Sequence, residues 1–348
     1  MIYQIDPIKD QRWSEFVKRH ASASVFHSAG WLKALCDTYG YEPLVFTTSS
    51  PTSALANGLV FCRVKSWLTG SRIVSLPFSD HCEPLCDSED DLAFLMRYLG
   101  TAFEHQRWKY IEIRPLNGRL WKVSDIKGFT PTARYFRHLL DLRPTLDELF
   151  QNLHRNSVQR RVRRAERAGL VEKCGRSKAL LKDFYSLFVA TRSRHHLPPM
   201  PYSWFRNLVE CQGDALDIRL AYKDDVPISA VLTLRFKDTV LYKYGCSSSE
   251  FNRFGATPWL LWNAIAAAKS SGAVRFDMGR TEEDNIGLLE FKNHWVPQPQ
   301  ALIYLKFPET LSFDSANGWK LKMAKRVFSF MPKSLLQLTG RLLYRHVG

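Results

Sequence analysis

The stretch VRFDMGRTEEDNIGLLEFKNHW, residues 274–295, indicates most clearly how this chain folds. Its first five residues alternate between apolar and polar side chains, which predicts a strand over Val274–Met278. The apolar residues that follow at helical spacing predict a short helix over Ile286–His294. Asp277 is then expected at the carboxyl end of the strand, where open α/β sheets bind ligands.

Lys292 lies on the predicted helix between apolar residues that would fix its side chain. A fixed cation beside a reacting carbonyl stabilises the oxyanion that develops when an amine attacks. Asp277 and Lys292 are therefore candidate catalytic residues. The structural alternative, in which Asp277 is a cap and Lys292 a surface charge, stays open.

The rest of the second half has the same clarity of pattern. Helices are predicted over 146–168, 178–191, 202–212 and 258–271, and strands over 217–222, 228–236, 240–246 and 302–307. The first half repeats this order less clearly, with strands over 2–5, 42–47, 58–65, 72–76, 110–114 and 135–142 and helices over 11–20, 31–39 and 88–106.

This element order predicts an α/β (α+β) protein of two tandem units, each a mixed, mostly antiparallel sheet flanked by helices. The expected units are residues 1–143 and 144–310, with the candidate site in the second. Residues 311–348 are expected to form a basic amphipathic helical tail. No residue-level repeat relates the halves, so the duplication rests on the order of elements.

Composition limits the class of protein. With 348 residues and 45% hydrophobic content the chain can form a sizeable core, and its apolar runs are shorter than the ~20 residues that cross a bilayer. The first residues lack the apolar region of a signal peptide, and the seven cysteines are an odd, scattered set. A cytoplasmic protein with reduced thiols is expected. The Cys82/Cys86 pair beside His81 lacks a second ligand pair, so no metal is expected.

The formal net charge of +15 favours partners that carry phosphate. Coenzyme A, nucleotide-sugars, tRNA and anionic lipid headgroups all fit this charge. Net charge alone does not choose among them.

An arginine-rich segment, RNSVQRRVRRAER over residues 155–167, opens the second half. Helical spacing predicts that Arg160, Arg163, Arg164 and Arg167 share one face, while Val158, Val162 and Ala165 share another. Guanidinium groups make bidentate contacts with phosphates, so these four arginines are candidates for substrate binding. A solvated face or a nucleic-acid-binding helix are the alternatives.

The turn NRFGATPW, residues 252–259, precedes a predicted helix, with Thr257 as its N-cap and Pro258 at its first position. Backbone N–H groups at such a helix start suit a pyrophosphate. Arg253, Gly255, Ala256 and Thr257 are therefore candidate cofactor-binding residues. An ordinary capped helix after a loop is the alternative.

Three further residues are candidates for the site. His195 and His196 follow a helix in a proline-containing loop and are candidates for substrate contact or for a general base, against a structural role. Tyr244 lies on the last strand of the predicted meander and is a candidate hydrogen-bond donor, against packing.

Taken in order, these clusters resemble the Fem-type peptidyltransferases and the related GNAT-like proteins of bacterial exopolysaccharide systems. The resemblance rests on the arginine-rich helix, on the loop Thr191–Pro201 and on the pattern Asp277-x-Gly279, Asn285, Phe291-Lys292 and Trp295. It covers the second half, and in the first half only residues 27–32. The turn at Arg253 is similar to the GNAT coenzyme A turn, although it is one residue shorter.

The resemblance implies transfer of an acyl or aminoacyl group onto an amine, with Lys292 at the family's catalytic lysine and with Asp277, Arg280 and Asn285 shaping the site. We expect an N-acyltransferase that uses acyl-CoA to acylate an amino sugar or a cell-envelope glycan precursor in polysaccharide biosynthesis. An aminoacyl-tRNA-dependent peptidyltransferase of the peptidoglycan-bridge type is the first alternative. A non-enzymatic nucleic-acid or membrane-surface binder is the second.

The tail, 311–348, interleaves basic and apolar residues around Pro332 and carries one acidic residue, Asp314. Such a segment suits an anionic membrane surface, which would place the protein peripherally on the inner face of the membrane with a lipid-linked substrate. Packing of the tail against the core is an equal alternative.

Overall fold

The computed structural model describes residues 1–116, 128–308, 328, 331 and 333–347. The chain forms two compact units. Unit 1 comprises Met1–Tyr135, Leu302–Lys322 and Arg341–Gly348, and unit 2 comprises Phe136–Ala301 and Met323–Gly340.

Unit 1 contains the first set of elements. Its strands are β1 (Tyr3–Ile5), β2 (Glu42–Thr47), β3 (Leu59–Val64), β4 (Arg72–Val74) and β5 (Ile111–Ile113), and its helices are α1 (Gln11–Arg19), α2 (Ala29–Tyr39) and α3 (Glu89–Gln106). The division of the chain into units falls within two strands, β6 (Thr130–Asp141) and β12 (Gln300–Phe307), so each contributes residues to both units.

The sheet of unit 1 has the order β1-β2-β3-β4-β5-β12. The first four strands pair antiparallel, β5 runs parallel to β4 after the crossover through α3, and β12 pairs antiparallel with β5. The apolar face of α3, with Leu92, Leu95 and Leu99, packs in the core formed on this sheet.

Unit 2 contains the helices α4 (Leu146–Asn152), α5 (Arg160–Arg167), α6 (Lys178–Arg194), α7 (Tyr202–Gln212), α8 (Ala256–Ser270) and α9 (Ile286–Asn293). Its strands are β7 (Val171–Gly175), β8 (Leu216–Lys223), β9 (Val226–Phe236), β10 (Thr239–Ser247) and β11 (Arg275–Glu282). Its sheet has the order β6-β11-β10-β9-β8-β7.

The topology of unit 1 recurs in unit 2. Strands β8, β9 and β10 form an antiparallel meander, α8 crosses over, and β11 returns parallel to β10. The predicted α/β fold of two tandem units with mostly antiparallel sheets is confirmed. Period-2 and period-3.6 patterns and short apolar runs were sufficient to predict most element positions.

Three local predictions were wrong. The helix predicted over 146–168 is interrupted after α4, because Leu153 is extended and the ring of His154 accepts the N–H of Ser157 to start a π-helical turn over Arg155–Gln159. The edge strand β7 was not predicted, since its short sequence VEKCG does not alternate between apolar and polar residues.

The third wrong prediction concerns the start of α8. Its N-cap is Gly255 in the left-handed conformation, and the hydroxyl of Thr257 instead lies 2.8 Å from that of Ser229. Helix α8 thus begins two residues earlier than predicted, and the left-handed conformation of its N-cap is one that glycine adopts without steric strain.

Helix α10 (Lys333–Val347) is the described part of the predicted tail, and residues 311–327 lie outside the described residues. In unit 1, the carbonyl of Tyr344 accepts the Tyr41 hydroxyl at 2.6 Å and the carbonyl of His346 accepts Arg72 Nη2 at 2.7 Å. The end of the tail therefore packs on unit 1. Within the ranges given above, no helix is both long and apolar enough for a membrane crossing.

Gly255 sets the distance between α5 and α8. A Cβ added to Gly255, whose φ is +76°, would lie 2.5 Å from the carbonyl oxygen of Arg161. We expect Gly255→Ala to lower the free energy of unfolding by about 3 kcal/mol, because α5 must shift as well as the backbone be strained. Urea denaturation measures the change.

Gly272→Ala is the matched control. Gly272 also has a positive φ, +83°, but a Cβ there meets nothing within 4 Å. Gly272→Ala should lower the free energy of unfolding only by the backbone strain, about 1–2 kcal/mol. Equal losses in the two variants would mean that the contact between α5 and Gly255 is not tight.

His27 makes unit 1 sensitive to acid. Its ring is fully buried, with Nε2 2.9 Å from the Glu83 carbonyl and Nδ1 accepting the Ser24 N–H. Burial lowers the pKa of His27 from 6.5 to about 3. As the pH falls from 6.5 towards 3, His27 therefore binds a proton in the unfolded chain but not in the folded chain. The protein loses stability over this pH window.

We expect the free energy of unfolding to fall by up to about 1.4 kcal/mol per pH unit through His27 in this window. In urea titrations at several pH values, His27→Gln should show a shallower slope than the wild type. His105→Gln, which removes an exposed histidine of α3, should keep the wild-type slope. An unchanged slope in His27→Gln would exclude His27 as the source.

Candidate functional site

The parallel strands β10 and β11 pair over a short ladder. It runs from Thr239 opposite Arg275 to Leu241 opposite Asp277, and both strands continue beyond it. A register shift in β10 between Tyr242 and Tyr244 follows directly. The carboxyl halves of two parallel strands are where α/β sheets bind ligands, so this is the candidate site of unit 2.

Asp277 lies at the end of that ladder. It is inside β11 rather than at the end of the strand as predicted, because β11 continues to Glu282. Its carboxylate is buried, accepts Arg137 Nε of β6 at 2.7 Å and accepts the N–H of Gly279 at 2.8 Å. The buried charge is therefore compensated by a guanidinium and a backbone donor.

Lys292 of α9 contacts the glycine turn of β11, by which we mean the backbone of Gly279 and Arg280 within the strand, where Gly279 has a positive φ. Its side chain is 3% exposed, and Nζ donates to the carbonyls of Gly279 at 3.0 Å and Arg280 at 3.1 Å. Asp277 and Lys292 thus fix the N–H and the C=O of one glycine, Gly279, whose φ is +71°. The two residues come together at the backbone of Gly279.

His138 of β6 belongs to this cluster and was missed from the sequence. Its Nε2 is 2.8 Å from Asn293 Oδ1, which makes Nε2 the donor, and its buried Nδ1 has no hydrogen-bond partner among the described residues. Burial lowers the pKa of His138; the hydrogen bond to Asn293 opposes this shift, and the positive charge of Lys292 adds to it. The neutral imidazole is favoured.

The sequence does contain a feature that marks Arg137 and His138 as residues that need partners. Two polar side chains interrupt the apolar part of the strand predicted over 135–142, and polar groups inside a strand that is buried require partners. The sequence does not say which residues those partners are.

The arginine-rich helix and the predicted cofactor turn also come together. The four candidate arginines of α5 are exposed, whereas Val162 and Ala165 are buried against α8. Arg164 Nη1 donates to the carbonyl of Arg253 at 3.2 Å. The backbone of α5 covers Gly255, and Ala256 is buried, so much of the first turn of α8 is occupied by protein.

His154 and His294 connect the arginine helix with α9. Their ring centroids are 4.3 Å apart, and the N–H of His154 donates to the His294 carbonyl at 3.1 Å. Burial and the neighbouring His154 lower the pKa of His294. The start of the arginine segment is thereby positioned beside the end of the helix that carries Lys292.

The remaining candidates lie apart from one another. Tyr244 accepts the indole N–H of Trp204 at 3.0 Å and packs on Phe205, and His195 and His196 are exposed at the end of α6. Asn285 caps α9 by accepting the N–H of Leu288 at 3.3 Å. In the described part of the chain, no group of His, Cys, Asp or Glu side chains is arranged to hold a metal ion.

Residues 152–293 match the family model of the acetyltransferase (GNAT) domain. This range contains the arginine helix, the turn at Gly255, Asp277 and Lys292. No curated protein sequence matches the chain significantly.

Solved structures match the chain over most of its length. FemX is 15% identical, with a TM-score of 0.70, over 92% of this chain and 99% of that one. The C-terminal domain of a putative lysylphosphatidylglycerol synthetase from Agrobacterium fabrum is 14% identical, with a TM-score of 0.54, over 91% and 95%. A tandem GNAT protein from the clavulanic acid biosynthesis pathway is 9% identical, with a TM-score of 0.55, over 90% and 99%. At these identities the likeness shows the fold.

Residues 152–293 therefore match a GNAT domain, and most of the chain shares the fold of FemX and of a tandem GNAT protein.

Proposed function

We propose that the chain is an amide-forming N-acyltransferase whose reaction takes place in unit 2, where β10 and β11 continue past their shared ladder. The observation that carries the proposal is the fixation of Gly279 by Asp277 and Lys292 at this position, inside the GNAT-type domain. Such a turn is rigid, and rigid backbone dipoles stabilise charge that develops during acyl transfer.

In the proposed reaction, a neutral acceptor amine attacks the acyl carbonyl of the donor, and the carbonyl oxygen becomes an oxyanion. Collapse of this intermediate leaves the new amide C–N bond and breaks the bond to the thiolate of coenzyme A, or to the ribose oxygen of tRNA, which takes up the proton that the amine loses. Lys292 is a positioning residue with an electrostatic effect. Its ammonium polarises the two peptide groups whose carbonyls it contacts, and in a buried environment this positive charge is only weakly screened. Asp277 keeps the turn in register through the N–H of Gly279.

The donor carries phosphate, and the exposed arginines of α5 bind it. Acyl-CoA fits this requirement and is supported by the GNAT description of residues 152–293. The acceptor is the amine of an amino sugar or of a cell-envelope glycan precursor, as the Fem-type resemblance implies.

Aminoacyl-tRNA is the second candidate donor, and a specific observation supports it. The α5 backbone covers Gly255, so the first turn of α8 is less open to a pyrophosphate than the sequence predicted. Phosphate binding then falls to the guanidinium groups, and a row of four exposed arginines also suits a nucleic-acid backbone.

Two parallel assays test the proposal. The purified chain is incubated with acyl-CoA thioesters and amino sugars while thiol release is measured, and with aminoacyl-tRNA and the same acceptors while deacylation is measured. Mass spectrometry of the acceptor must detect the new amide. If neither donor is consumed across the panel, the proposal of an acyltransferase is wrong and a binding protein remains.

The arginine face is tested with Arg160→Ala combined with Arg164→Ala. We expect KM for the active donor to rise by about tenfold or more while kcat changes less, because contacts to a non-reacting phosphate are lost. Lys178→Ala with Lys182→Ala removes the same charge from exposed positions of α6 and should leave KM unchanged. A fall in kcat alone would exclude donor binding by α5.

Lys292→Met should reduce turnover by about 10²–10³, since the polarised turn and its positive charge are lost. Lys269→Met is the matched control, because Lys269 also donates to two carbonyls, those of Leu142 at 2.7 Å and Arg143 at 3.3 Å, but on another part of unit 2. It should keep turnover within about twofold. Thermal melts establish that both variants are folded, and wild-type turnover in Lys292→Met would leave Lys292 a purely structural role.

A further inference from the structure

The hairpin between β3 and β4 exposes two large apolar side chains at its tip. Trp67 is 86% exposed and Leu68 is 57% exposed. Single exposed apolar residues are common on protein surfaces. Two adjacent ones at a hairpin tip, one of them tryptophan, indicate a contact surface.

This tip is held rigidly. The hydroxyl of Ser66 accepts the N–H groups of Leu68 at 3.1 Å and Thr69 at 2.9 Å, and the N–H of Gly70 donates to the Ser66 carbonyl at 2.9 Å. Ordered hydrogen bonds close the turn on both sides of Trp67. Its exposure therefore follows from the fold of the hairpin.

The end of α10 is fastened to the same hairpin within unit 1. Ser66 Oγ lies 3.0 Å from His346 Nδ1, and the His346 carbonyl accepts Thr69 Oγ1 at 2.9 Å. The rings of Trp67 and His346 meet edge to face at 5.8 Å. The tip and the last turns of the helix thus form one surface.

The helix adds a further apolar side chain and cations to this surface. Leu342 is 61% exposed and lies one helical turn before His346, on the same face, while Arg341 and Arg345 are exposed beside it. No Asp or Glu follows Asp314 in the sequence. The surface made by Trp67, Leu68, Arg341, Leu342 and Arg345 is therefore apolar and positively charged.

We infer that this surface docks the protein on an anionic lipid bilayer. Tryptophan favours the boundary between water and hydrocarbon, leucines insert beside it, and arginines contact anionic headgroups. The charge complementarity is supplied by an arginine pair with no acidic residue in the helix, on a chain of net charge +15. The inference concerns a binding surface in unit 1 and does not depend on acyl transfer in unit 2.

Cosedimentation with vesicles tests the inference with the full-length chain. We expect binding to vesicles of phosphatidylcholine and phosphatidylglycerol, and much weaker binding to phosphatidylcholine alone or at high salt. Arg341→Gln with Arg345→Gln should weaken the partition to anionic vesicles roughly 30-fold, because each surface cation contributes about fivefold. Trp67→Ser with Leu68→Ser should abolish most binding.

Matched variants separate this surface from general charge and hydrophobicity. Lys178→Gln with Lys182→Gln removes two charges elsewhere, and Val171→Ser removes an apolar side chain that is 56% exposed on β7. Both should bind as the wild type does, and Trp67→Phe should retain most binding. Circular dichroism establishes folding of each variant.

Two results would overturn the inference. One is a wild-type chain that does not sediment with anionic vesicles. The other is equal binding by the surface variants and the matched variants. Transfer to a soluble acceptor, measured separately, should be unaffected by the Trp67 and Leu68 substitutions, so loss of docking and failure of the proposed activity are distinguishable.

Discussion

The buried ammonium of Lys292, in contact with the carbonyls of Gly279 and Arg280, constrains much of unit 2. An ammonium that is 3% exposed is costly unless its protons are bound, so the side chain needs carbonyl groups within reach. Meeting that need fixes α9 against β11. It also gives the glycine turn beside Asp277 a single conformation, because the carboxylate holds the N–H of the same residue.

Asp277 brings β6 into this arrangement through Arg137, a residue 140 positions earlier in the chain. Removing one member of such a buried pair leaves an uncompensated charge, which costs about 3–5 kcal/mol. The pair therefore specifies which strand lies beside β11, and with it the position of His138 next to Asn293. Stability and the geometry of the candidate site depend on the same contacts.

The close approach of Gly255 to Arg161 is a second constraint within unit 2. Because glycine has no Cβ, α5 approaches the start of α8 closely and covers part of a helix terminus that would otherwise be open to anions. Val162 and Ala165 anchor one face of α5 in the core. The arginine side chains of α5 are exposed on the other face. The start of α8 is thus partly covered by protein, and the four candidate arginines of α5 are exposed.

The sequence alone determined most of the element order in both units and the apolar and arginine faces of α5, and it predicted the strand and the helix of residues 274–295, because these depend on short-range periodicity and on residue type. Only the tertiary structure decided the break after α4, the edge strand β7, Gly255 as the cap of α8 and the partners of Asp277 and Lys292. The break after α4 depends on side-chain geometry at His154, which periodicity does not show. The close approach of Gly255 to Arg161 and the pairing of Asp277 with Arg137 depend on contacts between residues far apart in the chain. Arg137 and His138 are polar residues in a predicted buried strand, so the sequence indicates that each needs a hydrogen-bond partner. The packing of β6 against β11 and α9 provides those partners, Asp277 and Asn293.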